Sequence, residues 1–536
     1  MHRNKSVNTH SFAMVPRADI PRSGFKIESS YKTTFDSGYL VPIYCEEVLP
    51  GDTFNLKATM FARLATPIVP IMDNLYLESF FFFVPNRLVW QNWQRFCGEQ
   101  MNPGETTDYV VPKIGVNSSH VTVGSIFDYF GIPGAGQLVG GLAINALPFR
   151  AYNLIWNEWF RDENLQQRVT QNTSDSDSPG NYALKRRGKR HDYFTSCLPW
   201  VQKGASVSLP LGSSAPVKTN NDRQQTGNGW PVQIANTGTG NLVNNSGDLG
   251  VSAAGAGQYN ATGITGVAGE FYIANLYADL SKATAATINQ LRQAFQIQKL
   301  LERDARGGTR YTEMVKAHFG VTSPDARLQR PEYLGGGMTP ISISPVAQTM
   351  QATNGLSVGT LGAFATATAH NHGFTQSFTE HGHVIGLISV RADLNYQQGC
   401  NRMWFRKTRY DYYWPVFAML GEQAVLNQEI FCTGQTGDES VFGYQERWAE
   451  YRYKPSLITG MLRSTYSEPL DLWHLAQKFA SVPSLNDTFI QDHPPISRVI
   501  QTTEQTGQEF VLDVFFRNKA ARPLPMYSVP GLIDHF

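Results

Sequence analysis

The stretch HNHGFTQSFTEHGH carries four imidazoles, His370, His372, His381 and His383, as two H-x-H pairs. On a β-strand alternate residues share a face, so each pair would present two ring nitrogens together, a geometry that zinc accepts. No cysteine or further ligand stands nearby at a metal spacing. The letters HNH also match a nuclease motif, but there the three residues are dispersed over a ββα unit rather than contiguous. Hydrogen-bonded or interface histidines are therefore expected, and no metal site. The chain has no P-loop, GxSxG, HExxH or GxGxxG, and no nucleophile stands beside a base. The GGG at Gly335–Gly337 opens no helix and reads as a turn. No catalytic residue and no cofactor are expected.

Two basic stretches carry more. KRRGKRHDYF holds Lys185, Arg186, Arg187, Lys189 and Arg190, followed by aromatics. Its role stays open between an interface and a signal-like element. NRMWFRKTRYDYYWP interleaves Arg402, Arg406, Lys407 and Arg409 with Trp404, Phe405, Tyr410, Tyr412, Tyr413 and Trp414, and only Asp411 opposes them. Cations neutralise phosphates and aromatic faces stack on bases, which suits a single strand. The other reading pairs the arginines with acids across an interface and packs the rings in a core. Read as a strand, Arg402, Trp404 and Arg406 share one face, and Phe405, Lys407 and Arg409 the other.

The bulk composition narrows the classes. The chain has 536 residues, of which 41% are hydrophobic, 12% aromatic and 17% charged, with net charge +1. An average soluble protein has about 25% charged residues, so much surface is expected to be buried against partners. A net charge near zero leaves nucleic-acid contact to local patches. Five scattered cysteines without a CxxC read as reduced thiols. The first residues lack an apolar signal core, and the uncharged run from Leu249 to Gly269 is too poor in large apolar residues to span a membrane.

The elements that must position these residues are mostly strands. In LYLESFFFFVP, residues 75–85, the first half alternates and the second is apolar on both faces, so that end must be covered on both sides. Pro85 stops the ladder, Asn86 reads as an N-cap, and Val89, Trp93 and Phe96 recur at helical spacing before Gly98. Phe81, Phe83, Trp90 and Trp93 are expected to anchor a core or an interface. So are Trp156 and Trp159 of PFRAYNLIWNEWFRDENLQ, where Tyr152, Ile155, Trp156, Trp159 and Phe160 form a helical stripe. TINQLRQAFQIQKLLERDARGG and RYTEMVKAHFG read as two more helices, all three with stripes packed in the core. HVIGLISVRADL, SLITGMLRS, ISRVIQTT and EFVLDVFFRN read as strands. Residues 1–45 read as a basic arm, partly interior, in which Arg3, Lys5 and Arg17 are candidate DNA contacts. Residues 204–284 are poor in charge and rich in Gly, Asn, Ser and Thr, which reads as a variable surface insertion containing short strands. The remaining divisions are 46–203 and 285–536. Strands at both ends with helices between them fit a decorated β-sandwich, mainly β.

SVNTHSFAMVPRADIPRSGF, PFRAYNLIWNEWFRDENLQ, KRRGKRHDYFTSCLPWVQKG, QKLLERDARGGTRYTEMVKAHFGVTSPDARLQRPEYLGG and FTEHGHVIGLISVRADLNYQQG resemble the major capsid proteins of the gokushovirus branch of the Microviridae, small tailless bacteriophages with circular single-stranded DNA. The likeness runs from near Asn8 to the C-terminus and fails over about 204–284. It implies a viral jelly-roll β-sandwich with large inserted loops and several α-helices, assembling with copies of itself into a T=1 icosahedral virion in the bacterial cytoplasm. It also implies a threefold protrusion at the insertion, a single-stranded DNA genome, a small internal DNA-binding or scaffolding protein and a DNA pilot protein. Host attachment to a surface receptor is then expected of the insertion. The rival readings are a metal-dependent nuclease on His370–His383 and a carbohydrate-binding β protein.

Overall fold

The computed structural model describes residues 21–134, 136–207, 217–219, 234–236, 271–273, 276–278, 288–350, 358–501 and 507–527. Eight long strands build its centre: β1 (Ser23–Phe35), β2 (Val41–Val48), β3 (Thr53–Leu64), β4 (Leu75–Pro85), β5 (Glu332–Pro340), β6 (Leu361–Ser377), β7 (Gly382–Ala392) and β8 (Phe510–Arg522). They divide between two antiparallel sheets. One runs β1-β8-β3-β6 and continues into the short strand Ser342–Ala347; the other runs β5-β4-β7-β2. The chain crosses repeatedly between the sheets, and its last strand returns beside the first. This interlocked order is that of a jelly roll.

The two sheets differ in a way that side-chain spacing dictates. In β3, Phe54, Leu56, Ala58, Met60, Ala62 and Leu64 are buried while the intervening residues face outward. In β8, Phe510, Leu512, Val514 and Phe516 do the same. One face packs and the other is solvated, so the sequence alternates. The apolar end of β4 and most of β7 are buried on both faces. Leu75, Leu77, Phe81 and Phe83 join the core between the sheets. Phe82 and Val84 join a second core beneath the helix α1 (Leu147–Ile155), with Phe80 packed at its edge. The aromatic bulk of β4 is therefore covered by layers of its own chain, at roughly 1.5–3 kcal/mol for each fully buried large side chain.

The GGG segment is not a turn. It lies inside β5, paired to Phe81, Phe80 and Ser79. A Cβ on Gly336 would stand 2.0 Å from the Ser79 carbonyl, and one on Gly337 would stand 2.5 Å from the His372 ring. The glycines permit this close approach. Two expected strands are also absent. SLITGMLRS makes only a bridge at Leu457 and a 3-10 turn at Gly460–Leu462; the Ser464 amide is taken by the Gln397 side chain. ISRVIQTT follows Pro494 and Pro495, opens in the 3-10 turn Ile496–Arg498 and over its described residues, to Gln501, makes a bridge between Ile500 and Pro67.

The supposed arm is in the sheet from Ser23, where β1 pairs with β8 along its whole length. Residues 1–20, with Arg3, Lys5 and Arg17, lie outside the described residues. The helices Ile288–Arg306 and Tyr311–Phe319 form, and Gly320 closes the second in the left-handed conformation. Their stripes are not core: Ile288 is 69% exposed and Phe295 64%, and Tyr311 and Phe319 are exposed too. The chain divides into two compact units, residues 202–303 and the rest. Within the first, Val217–Thr219 pairs with Leu276–Ala278, and Ile234–Asn236 with Phe271–Ile273. Among the described residues no helix is long and apolar enough to cross a membrane.

Candidate assembly and nucleic-acid surfaces

The aromatic anchors separate by depth. Phe81 and Phe83 lie in the sandwich. Trp90 is fully buried, and its indole N–H donates to Asp175 at 2.6 Å. The helix expected across this segment breaks at Trp90, which is extended, leaving the single turns Asn86–Val89 and Trp93–Phe96. Asn86 lies inside the first turn and caps nothing; Pro85 holds the N-cap position. The break lets Trp90 turn inward, while Trp93 rests half-buried against Trp90, Phe96 and His381. Trp156 is buried, with its N–H on the Arg186 carbonyl at 3.0 Å. Trp159 is 42% exposed and donates to the Pro331 carbonyl at 2.9 Å.

The first basic stretch threads through the body of the protein. The Lys185 carbonyl accepts from Leu40, Arg187 N–H donates to Gly38, and Lys189 N–H donates to Ile490. Its side chains are occupied. The Lys185 ammonium lies 5.8 Å from the Trp156 ring centre. Arg186 lies 3.9 Å over the Tyr39 ring and donates to the Ser37 and Asp492 carbonyls. Arg187, Arg190 and Arg391 all pair with Glu78, and Arg190 also reaches Asp393 at 3.1 Å. Burial, reinforced by the Arg391 charge, pushes the Arg187 guanidinium down to about 10. Lys189 donates to Gln477 at 2.9 Å over the Phe489 ring, and burial lowers its ammonium to about 8.

The second stretch is not a strand. It makes two short 3-10 turns, Arg402–Phe405 and Arg409–Asp411, so the expected alternation of faces does not hold. Two of its arginines point inward. Arg402 pairs with Glu429 at 3.0 Å and donates to the Ala424 carbonyl. Arg406 pairs with Glu450 at 3.5 Å and lies against the Tyr451 ring and hydroxyl. Lys407 meets Glu439 in an exposed pair, and Arg409 lies over the Tyr410 ring. Trp404 is 73% exposed, and Tyr410, Tyr412, Tyr413, Trp414, Val416 and Met419 are exposed beside it. A patch with this much uncovered apolar surface marks an interaction surface.

The histidines do not converge. β6 bulges between Ala369 and His372, with Asn371 in the left-handed region, so His370 faces out and His372 faces in. His372 lies between the Ser79 hydroxyl at 2.8 Å and the Thr339 hydroxyl at 3.1 Å. His383 is buried, and desolvation holds its imidazole down to about 4. Among the described residues no group of His, Cys, Asp or Glu could hold a metal.

Sequence reasoning missed the counter-charges Glu78, Glu429 and Glu450, and the further cation Arg391 that shares Glu78. Glu78 carried a signal, as an acid within an otherwise apolar strand.

The family model described as Capsid protein (F protein) matches residues 13–532. Capsid protein VP1 of Bdellovibrio phage phiMH2K is 47% identical, covering 99% of each chain. Capsid protein VP1 of Chlamydia phage 1 is 42% identical, and that of Spiroplasma virus 4 is 37% identical, each covering 98% of both chains. With a buried jelly roll at its centre and a large uncovered aromatic surface, this chain belongs to the phage F-type capsid protein family: it is a structural protein of the virion and not an enzyme.

Proposed function

We propose that copies of this chain close into a T=1 icosahedral shell around a circular single-stranded DNA genome. Residues 204–284 form its variable exterior insertion and take part in host attachment. The observation that carries the assembly reading is the uncovered aromatic surface over 404–419, on a chain whose charged content is low for a soluble protein. Closed symmetry repeats each subunit contact, so modest surfaces suffice. The same surface supports contact with DNA through Trp404, Lys407, Arg409 and Tyr412. Arg402 and Arg406 are spent on Glu429 and Glu450 and hold the segment in place. The residues at 1–20 add Arg3, Lys5 and Arg17 to the interior charge. A small internal DNA-binding or scaffolding protein, a pilot protein and a host receptor complete the set of partners.

Electron microscopy of the expressed chain, with and without its scaffolding partner, tests the shell. Uniform closed particles of sixty copies are expected for T=1; particles of mixed or larger size overturn that number. DNA content of particles carrying Trp404→Ala and Tyr412→Ala tests the second role. Unchanged DNA with lost particle yield assigns the surface to subunit contact instead.

A further inference from the structure

A cleft of about 500 Å³ opens on the outer side of β4, away from the space between the two sheets. Its volume lies within the range of small-molecule sites. One wall is aromatic. Phe82 packs against Trp159 with ring centres 5.5 Å apart and against Tyr333 at 5.5 Å, and Trp159 and Tyr333 stand 6.1 Å apart. Trp159 and Tyr333 keep much of their surface open to solvent. The lining is otherwise mainly cationic, with Arg187, Lys189, Arg190 and Arg391, and it includes the carboxylate of Asp162.

Two features set this cleft apart from an ordinary surface groove. The first is its electrostatics. Glu78 pairs with three guanidinium groups, Asp393 is a second acceptor for Arg190, and the buried Asp492 is the further acid that the charges of Arg187, Lys189 and Arg391 act on, so four cations share three carboxylates. The Nε atoms of Arg190 and Arg391 have no hydrogen-bond partner. Like charges packed at this density are relieved by an added anion. The second is the backbone. Immediately after α1 the helix widens into a π-turn, Trp156–Phe160, and Arg161 then leaves in extended conformation. That turn brings both Trp159 and Phe160 to the cleft. π-turns of this kind occur often at functional sites.

We propose that this cleft binds a nucleotide, with the base against Trp159 and Tyr333 and the phosphate at Arg190 and Arg391. A planar ring beside an anion matches an aromatic wall facing a guanidinium wall. The proposal rests on the capsid reading only in taking the enclosed single strand as the source of the nucleotide.

Calorimetry on the purified chain, with deoxyadenosine, dAMP and a short thymidine oligonucleotide as probes, tests the charge requirement and separates a free nucleotide from a strand. A charge-assisted contact predicts binding of dAMP about tenfold tighter than of the nucleoside. Arg190→Gln should remove that advantage. Photo-crosslinking of particles with 5-iododeoxyuridine in their DNA should label the peptides of Trp159 or Tyr333. Trp159→Leu should abolish that label on the particles that form, with the label counted per particle so that any change in yield is separated from it. Equal affinity for dAMP and deoxyadenosine, no binding, or crosslinks confined to other peptides would each overturn the assignment. So would recovery of a peptide, rather than DNA, crosslinked at Trp159. Normal particles that lack the label refute the cleft and leave the capsid reading standing; an absence of closed particles refutes the capsid reading, while calorimetry still reports on the cleft.

Discussion

The two basic-aromatic stretches read alike and fold to opposite ends. In 185–190 every cationic side chain is met by a carboxylate, a carbonyl, an amide oxygen or a ring, and the backbone bonds to two distant segments. In 402–414 two arginines fasten the segment from beneath, and the rings stand in solvent. The difference teaches that a cluster of arginines and aromatics carries no fixed meaning. What decides it is the acid within reach. Glu78 ties two guanidinium groups of the first stretch together with Arg391 of β7, whereas Glu429 and Glu450 take one each in the second and leave Lys407 and Arg409 at the surface. Arginine tolerates the buried role because its planar fork satisfies several acceptors at once.

The largest expected effect breaks the first stretch. Glu78→Gln keeps the shape and removes the charge shared by Arg187, Arg190 and Arg391. Uncompensated buried charge costs about 3–5 kcal/mol, so chemical denaturation should show a loss on that scale, and particles should fail to accumulate. A loss under about 1 kcal/mol, the range of surface pairs, would make the cluster superficial and collapse the contrast.

The next substitution asks whether the second stretch has a buried half. Arg406→Gln leaves Glu450, which is 6% exposed, without its cation. A loss of roughly 1–3 kcal/mol in subunit stability is expected, the cost of a buried group left unsatisfied. A wild-type denaturation midpoint would return Arg406 to the set available for phosphate.

Smaller still, Trp404→Ala and Tyr412→Ala should change the unfolding free energy of the isolated chain by no more than about 0.5 kcal/mol, as exposed positions do. Their effect should appear in the particle instead, as lower DNA retention that worsens at high salt, where phosphate contacts weaken. Loss of subunit stability at either position would mean that these rings are core.

A pH dependence at Lys189 tests the buried half of the comparison by another route. Burial lowers the Lys189 ammonium to about 8 from its ordinary 10.5. Between those pH values the unfolded chain holds the proton that the folded chain has released. Stability from this group therefore rises with pH across that window and is lost as pH falls through about 8. The difference between wild type and Lys189→Met should follow that rise, measured by urea denaturation at several pH values; a difference that does not change with pH would place the Lys189 ammonium in solvent.

Much of the sandwich was legible because a strand's exposure is written into its spacing. The alternation in β3 and β8 and the unbroken apolar runs in β4 and β7 specify which sheet is solvated and which is covered twice. The failures share a cause. SLITGMLRS and ISRVIQTT have strand composition, but each meets another segment at one bridge, Leu457 with Tyr396 and Ile500 with Pro67, and turns take the adjoining residues. Alternation places His370 and His372 on one face, but a single bulge turns His370 out and His372 in.

By itself the sequence determined the periodicities, the strand faces, the helical segments at 147–155 and 288–306, and the likeness to a capsid family, since each depends on residues close together in the chain or on long matching segments. Only the tertiary structure decided that the chain covers its own four phenylalanines, that GGG is a strand making room for a histidine ring, and which cations are spent. Those outcomes depend on partners such as Glu78 and Arg391, joined at 3.0 Å although far apart in sequence. Their energies follow distance and burial, and a linear pattern encodes neither.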